Sequence, residues 1–315
     1  MPVARDELEL SVGIEPAAPP APVRTSLAGG LLREARPKQW AKNVLVFAAP
    51  GAAGVLDQRA TLAEAAIAFV CFCLAASGTY YLNDASDVDA DRRHPVKRFR
   101  PVAAGTVPVG LARVVGVGLI VAGIGLGFTA RWELVVTVAV YVALTTTYTV
   151  WLKHVAVIDI VAISAGFVLR TVAGATATGV PISEWFFIVA SFGSLFMVAG
   201  KRHAETLEMG DLAAGVRATL GEYTASYLAY LRTVSSGVVM VAYCLWAFEK
   251  ADLSTATVPW FQLSILPFVV GVLRYALIID TGRGGAPEEV VFGDRALQLI
   301  GLTWAIVFGI GIYAG

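Results

Sequence analysis

Nine stretches of this chain read as membrane-crossing segments, and that constrains the fold more than any single motif does. They fall near 43–56, 61–82, 109–128, 132–152, 156–179, 184–200, 229–248, 259–279 and 295–314. A helix needs roughly 17–25 apolar residues to span a hydrocarbon core. Backbone polar groups there must be satisfied within the segment, so the expected fold is all-α, a polytopic helical bundle. Hydrophobic residues make up 57% of the chain and charged ones 15%, against about 25% charged in an ordinary soluble domain. The first stretch is short, contains Pro50, Gly51 and Gly54, and reaches back toward Trp40; it and the last are the weakest.

Residues 1–25, rich in Pro, Ala and acids, predict a disordered cytoplasmic tail ahead of one membrane-embedded domain over 26–315. The segment between tail and first span, with leucines, basic residues and Trp40, suits an interfacial helix or a basic anchor. Formal net charge is zero, which gives no reason to expect a nucleic-acid partner. Cys71, Cys73 and Cys244 lie in apolar runs and read as small core residues.

Charge sidedness sets the topology. With the N-terminus inside, the inner segments hold Arg33, Arg36, Lys38, Lys42, Lys97, Arg98, Arg100, Lys153, Lys201 and Arg202, whereas the outer loops hold Arg59, Arg131 and Lys250. The positive-inside rule then places both long loops, 83–108 and 201–228, in the cytoplasm of a multi-pass plasma-membrane protein. Function is expected on that face.

The strongest chemical signal is YYLNDASDVDADRRHPVKRFRPVAAG, residues 80–105. Continued as helix at about 100° per residue, Asp84, Asp87 and Asp91 fall within roughly 60° of arc and Asp89 points away. Three carboxylates on one face repel unless a cation lies between them. Their hard oxygens suit Mg²⁺, which takes its remaining ligands from water and substrate phosphates. Lys97, Arg98 and Arg100 follow at once and suit phosphate oxygens. A solvated acidic turn followed by topology-setting basic residues is the plainer alternative.

Asn83, Asp84, Asp87 and Asp91, followed by the basic run and Gly105, resemble the first aspartate motif of the UbiA superfamily of intramembrane prenyltransferases. The likeness runs over about 36–313 in span order and loop placement. Within the superfamily, RPKQWAKN (36–43), LRTVAG (169–174) and GKRHAE (200–205) look most like actinobacterial decaprenyl-phosphate phosphoribosyltransferases. The resemblance implies a bundle of about nine spans with a central cavity open to the cytoplasm and a lateral opening to lipid. It implies Mg²⁺-dependent transfer of 5-phosphoribosyl from phosphoribosyl diphosphate to a polyprenyl phosphate, an early step toward the cell-wall arabinose donor. Membrane lipid is a further expected partner, and a homo-oligomer is compatible with these features.

One departure is informative. Where prenyl-diphosphate users carry a second aspartate motif, this chain reads GKRHAETLEMGD, with Lys201 and Arg202 leading and Glu205, Glu208 and Asp211 behind. Fixed positive charge in place of carboxylates suits a reaction that brings two phosphorylated substrates together. The expected site therefore holds Asp84, Asp87 and Asp91 on the metal, with Lys201 also catalytic. Asn83, Lys38, Lys42, Lys97, Arg98, Arg100, Lys201 and Arg202 are expected on the substrates. Arg170, an ionised residue well inside the fifth span, is expected to bind phosphate or to pair structurally. Asp159 reads equally well as a partner to the site or as a helix-end charge, and Tyr148 reads as a belt aromatic rather than a substrate contact. The attacking phosphate oxygen is already anionic, so no general base is nominated. A conventional prenyltransferase with an aromatic acceptor and a transporter of phosphorylated lipid or sugar remain as alternatives.

Overall fold

The computed structural model describes residues 26–94, 96–209, 218–282 and 287–313; the tail expected over 1–25 lies outside them. Among the described residues the regular secondary structure is all helical: α1 (Leu27–Glu34), α2 (Ala48–Ala52), α3 (Arg59–Ser86), α4 (Val88–Arg93), α5 (Val109–Gly127), α6 (Trp132–Val150), α7 (Ile158–Thr178), α8 (Glu184–Met209), α9 (Ala225–Leu253), α10 (Trp260–Asp280), α11 (Pro287–Gly293) and α12 (Arg295–Tyr313). α3 packs along α5 and α8 along α9, α7 lies against α6 and α8, and α10 lies against α12. Large apolar side chains such as Val114, Val241, Leu266 and Leu299 face outward, the surface that a lipid solvent accepts and water does not.

Eight helices among the described residues are long and apolar enough to cross a membrane. The first of the nine expected spans is not among these eight, because it is not an α-helix of that length. Instead Pro37–Phe47 winds as a 3₁₀-helix that hands over to the short α2. At about 2.0 Å per residue for the 3₁₀ part and 1.5 Å for α2, the two cover about 30 Å, the depth of a hydrocarbon core. Their contacts run the length of the bundle. Arg36 touches Asp84 near the end of α3, whereas Ala49, Ala52 and Ala53 border Pro181, Ile182 and Ser183 beyond the far end of α7.

The 3₁₀ winding has a cause in the sequence. Trp40, Asn43 and Val46 recur every third residue, and at three residues per turn they stack on one face. Trp40 donates from its indole to Ser77 Oγ (3.1 Å). Asn43 donates to Cys73 Sγ (3.2 Å) and accepts from Arg170 Nε (2.8 Å). Val46 is fully buried with Phe72, Leu134, Tyr141 and Ala173. An α-helix would swing these three residues apart by about 60° at each step.

Backbone approach is closest at Gly174, where an added Cβ would lie 1.7 Å from the carbonyl oxygen of Val46. Gly174→Ala should therefore force α7 away from the 3₁₀ segment and lower the melting temperature in detergent by many degrees. Gly118→Ala on α5, with nothing within 4 Å of its Cβ, should leave it unchanged or slightly raised, as helix propensity dictates.

Candidate active site

Residues from four short stretches meet at one end of α3. The helix stops at Ser86, and Asp87 breaks it with φ −91° and ψ 9° before α4 resumes at Val88. Asp84, Asp87 and Asp91 therefore do not share one continuous helical face. Asp84 and Asp91 still converge: Arg100 Nη1 donates to Asp84 Oδ1 at 3.0 Å and to Asp91 Oδ2 at 2.8 Å. The chain can return because Gly105, at φ +77°, closes the turn after Arg100, and because Val102 and Val107 bury beside Tyr81 and Ala85. Asp87 instead faces Lys153 at 3.9 Å, and Asp89 points outward beside Arg92 as expected. No group of three His, Cys, Asp or Glu side chains is gathered as a ready metal cage among the described residues.

Two groups absent from the sequence-based site complete this cluster. Arg36 Nη2 donates to Asp84 Oδ2 at 2.5 Å while its guanidinium lies 4.5 Å from the centre of the Tyr80 ring. Its backbone is left-handed, φ 53° and ψ 58°, a conformation costly for a residue with a Cβ. Glu34, only 1% exposed, has two carboxyl oxygens that meet no N–H or O–H donor. The carboxylate of Asp84 is its neighbour in this cluster, and a proton on Glu34 relieves the repulsion between the two. Burial first, then the adjacent carboxylate of Asp84, pushes the Glu34 carboxyl up to about 8.

The basic residues divide into those near the carboxylates and those spent elsewhere. Asn83 donates to Asp84 Oδ1 at 3.3 Å. Lys97 is half-buried, and Arg98 is exposed and lies over the Phe99 ring. Lys38 is exposed, and Lys42 donates to Gln39 Oε1. Lys201 is 39% exposed and lies 3.7 Å from Glu205.

Arg170 and Arg202 do not stand as free phosphate ligands. Arg170 gives Nε to Asn43, Nη1 to the Gly166 carbonyl and Nη2 to the Tyr141 hydroxyl, with Phe72, Tyr141 and Phe167 rings around it. All three nitrogens are engaged, and the residue pins the 3₁₀ segment to α7. Arg202 is fully buried, 3.2 Å from Asp159 and 2.5 Å from Glu205. Tyr223 donates its hydroxyl to Asp159 and accepts the Val157 N–H at 2.6 Å. Val157 has φ +68°, a strained state for a β-branched residue. This knot ties the start of α7 to α8 and to the chain entering α9; Asp211 and the side chain of Glu208 lie outside the described residues.

Two outcomes follow. Arg202→Met should cost on the order of 3–5 kcal/mol by leaving buried carboxylates uncompensated, read as thermal unfolding in detergent. Lys201→Met should leave the same transition in place. Metal-free protein should also lose stability as pH rises from about 5 to about 8. Glu34 binds its proton more tightly folded than unfolded, so its contribution is complete below the ordinary carboxylate range and is lost through about 8. Glu34→Gln should flatten that slope in a melting series with chelator present.

The chain matches the model of the UbiA prenyltransferase family over residues 44–313. It is 48% identical over 293 residues to the decaprenyl-phosphate phosphoribosyltransferase of Corynebacterium glutamicum, covering 91% of this chain and 88% of that one. The protein of the same name from Mycobacterium tuberculosis is 44% identical over 301 residues, 94% of this chain and 97% of its own. A UbiA homologue from Archaeoglobus fulgidus, solved bound to DMAPP and Mg²⁺, superposes with a TM-score of 0.67 at 15% identity over 90% of this chain and 99% of that one, a likeness of fold. Extent of match, identity and architecture agree: this chain is a multi-pass membrane protein and belongs to the UbiA prenyltransferase family.

Proposed function

We propose that the protein transfers a 5-phosphoribosyl group from 5-phosphoribosyl 1-diphosphate to the phosphate of a long polyprenyl (decaprenyl) phosphate. The observation that carries this reading is the pair of buried carboxylates, Asp84 and Asp91, flanked by Arg36 and Arg100 at one end of the bundle, with Lys153 beside Asp87. The relatives' shared name supplies the substrate class. The asymmetry of Lys and Arg supports a site facing the cytoplasm from the plasma membrane. The lipid tail would lie between helices, with its headgroup at the carboxylate end.

The residues fit a divalent cation. Asp84 and Asp91 already share one cationic atom, and the carboxyl of Glu34 adds oxygens without donors beside Asp84. Asp84 and Asp91 would hold Mg²⁺, with Asp87 as the third carboxylate. Bound there, Mg²⁺ supplies Lewis-acid neutralisation of the leaving diphosphate. The chain's own part is electrostatic and positional. Arg36, Arg100 and Lys153 hold the diphosphate by charge-assisted hydrogen bonds, and Lys201 attracts the second phosphorylated substrate. The bond from ribose C1 to the diphosphate oxygen breaks as a lipid phosphate oxygen bonds to C1. The nucleophile is anionic at neutral pH, so no side chain need remove a proton.

The test offers purified protein and Mg²⁺ either labelled phosphoribosyl diphosphate with polyprenyl phosphate, or polyprenyl diphosphate with 4-hydroxybenzoate. Labelled lipid in the first pair is expected; product in the second pair alone would replace this reading with aromatic prenylation. Asp84→Asn and Asp91→Asn should each reduce kcat on the order of 10²-fold or more. Asp89→Asn, which removes the same charge from an exposed side chain, should be nearly silent.

A further inference from the structure

We propose that Arg100 and Arg36 are exchange partners: they neutralise Asp84 and Asp91 until a divalent cation takes those carboxylates, and then turn to the donor's phosphates. The inference rests on the metal reading above and adds an order of events to it. Arg100 Nη1 alone meets both carboxylates, at 3.0 and 2.8 Å. A Mg²⁺ ion between the same oxygens would need about 2.0–2.1 Å to each. One point between two carboxylates cannot hold both cations.

Leaving without replacement is not open to the guanidiniums. Asp84 and Asp91 are 1% and 3% exposed, and an uncompensated buried carboxylate is strongly destabilising. The exchange conserves charge, since two guanidiniums depart as one divalent ion arrives. The arginines are the members of the cluster with room to move. Their side chains are 28% and 27% exposed, against 1% and 5% for the carboxylates they hold. A freed guanidinium fork matches phosphate oxygens in shape and charge. Arg36 is also held in a left-handed backbone while it bonds Asp84, and strain of that kind concentrates where a segment has to switch. Metal and donor then support each other's binding, because the ion releases the arginines that the phosphates require.

The test measures Mn²⁺ binding to the detergent-solubilised full chain by the loss of the free-ion electron paramagnetic resonance signal. Arg100→Gln should bind Mn²⁺ about fivefold tighter or more, since the competing cation is gone, while its KM for phosphoribosyl diphosphate rises. Arg113→Gln removes the same charge from an exposed point on α5 and should change Mn²⁺ affinity less than twofold. Arg36→Gln, which keeps the Arg100 bridge, should show a smaller gain. Arg100→Gln should melt early in chelator and regain the parent's transition in Mn²⁺, so a fragile variant still reports. Unchanged or weaker Mn²⁺ binding by Arg100→Gln, in a chain whose parent binds the ion, makes Arg100 a fixed strut and overturns the exchange alone. A parent chain that binds no Mn²⁺ overturns the metal reading and the exchange with it.

Discussion

Taking a guanidinium or a carboxylate out of water costs several kcal/mol per ion even after the surroundings relax, and inside a membrane bundle no solvent shell offsets that cost. The buried ions of this chain meet it in different ways. Asp84 and Asp91 draw two arginines from outside the span, one from before it and one from the loop after it. Asp159, Arg202 and Glu205 neutralise one another within the protein, with Tyr223 supplying a further donor. Arg170 is satisfied by neutral acceptors and aromatic faces. These arrangements decide what each group is free to do. The first is open on its arginine side, the second is closed, and the third is a rivet.

That distinction separates open from enclosed charges among residues that look alike in composition. Lys201 and Arg202 are neighbours, yet one is 39% exposed and the other not at all. Consecutive residues on a helix point about 100° apart, so Arg202 turns toward Asp159 on α7 while Lys201 stays partly exposed beside Glu205. The Asp159–Tyr223 contact gives the same stretch a second duty. It holds the strained turn at Val157, and Lys153 beside Asp87 lies just upstream of that turn.

Much of this was legible in the sequence. Long apolar runs gave the spans because bilayer thickness leaves little freedom in their length. Asp84 and Asp91 stood out as carboxylates at a membrane boundary, and Asp89 was set apart by its angle alone. Other features depended on tertiary geometry. The helix break at Asp87 follows from no local signal beyond the serine before it. Glu34 lies in a short basic segment that reads as an anchor, and only the packing of α1 against α3 makes it a site residue. Arg202 reads as an open cation because charge at a loop is visible in sequence, while its burial between Asp159 and Glu205 is not. The spacing of Trp40, Asn43 and Val46 was readable, but a search for α and β periods passes over a repeat of three.

That threefold repeat carries a consequence for how this region can vary. Side chains along Pro37–Phe47 can be exchanged at the exposed positions, such as Lys38, Ala41 and Val44, without disturbing the face that docks. Length cannot change so easily. Removing or adding one residue would turn everything beyond it by about 120° and slide it by about 2 Å. The indole at Ser77, the amide at Arg170 and the carbonyl at Gly174 could not then all be met at once. The segment behaves as a ruler whose divisions are fixed by its neighbours. It sets the depth at which Arg36 meets Asp84, and among homologous chains it should tolerate substitution while rejecting insertion and deletion.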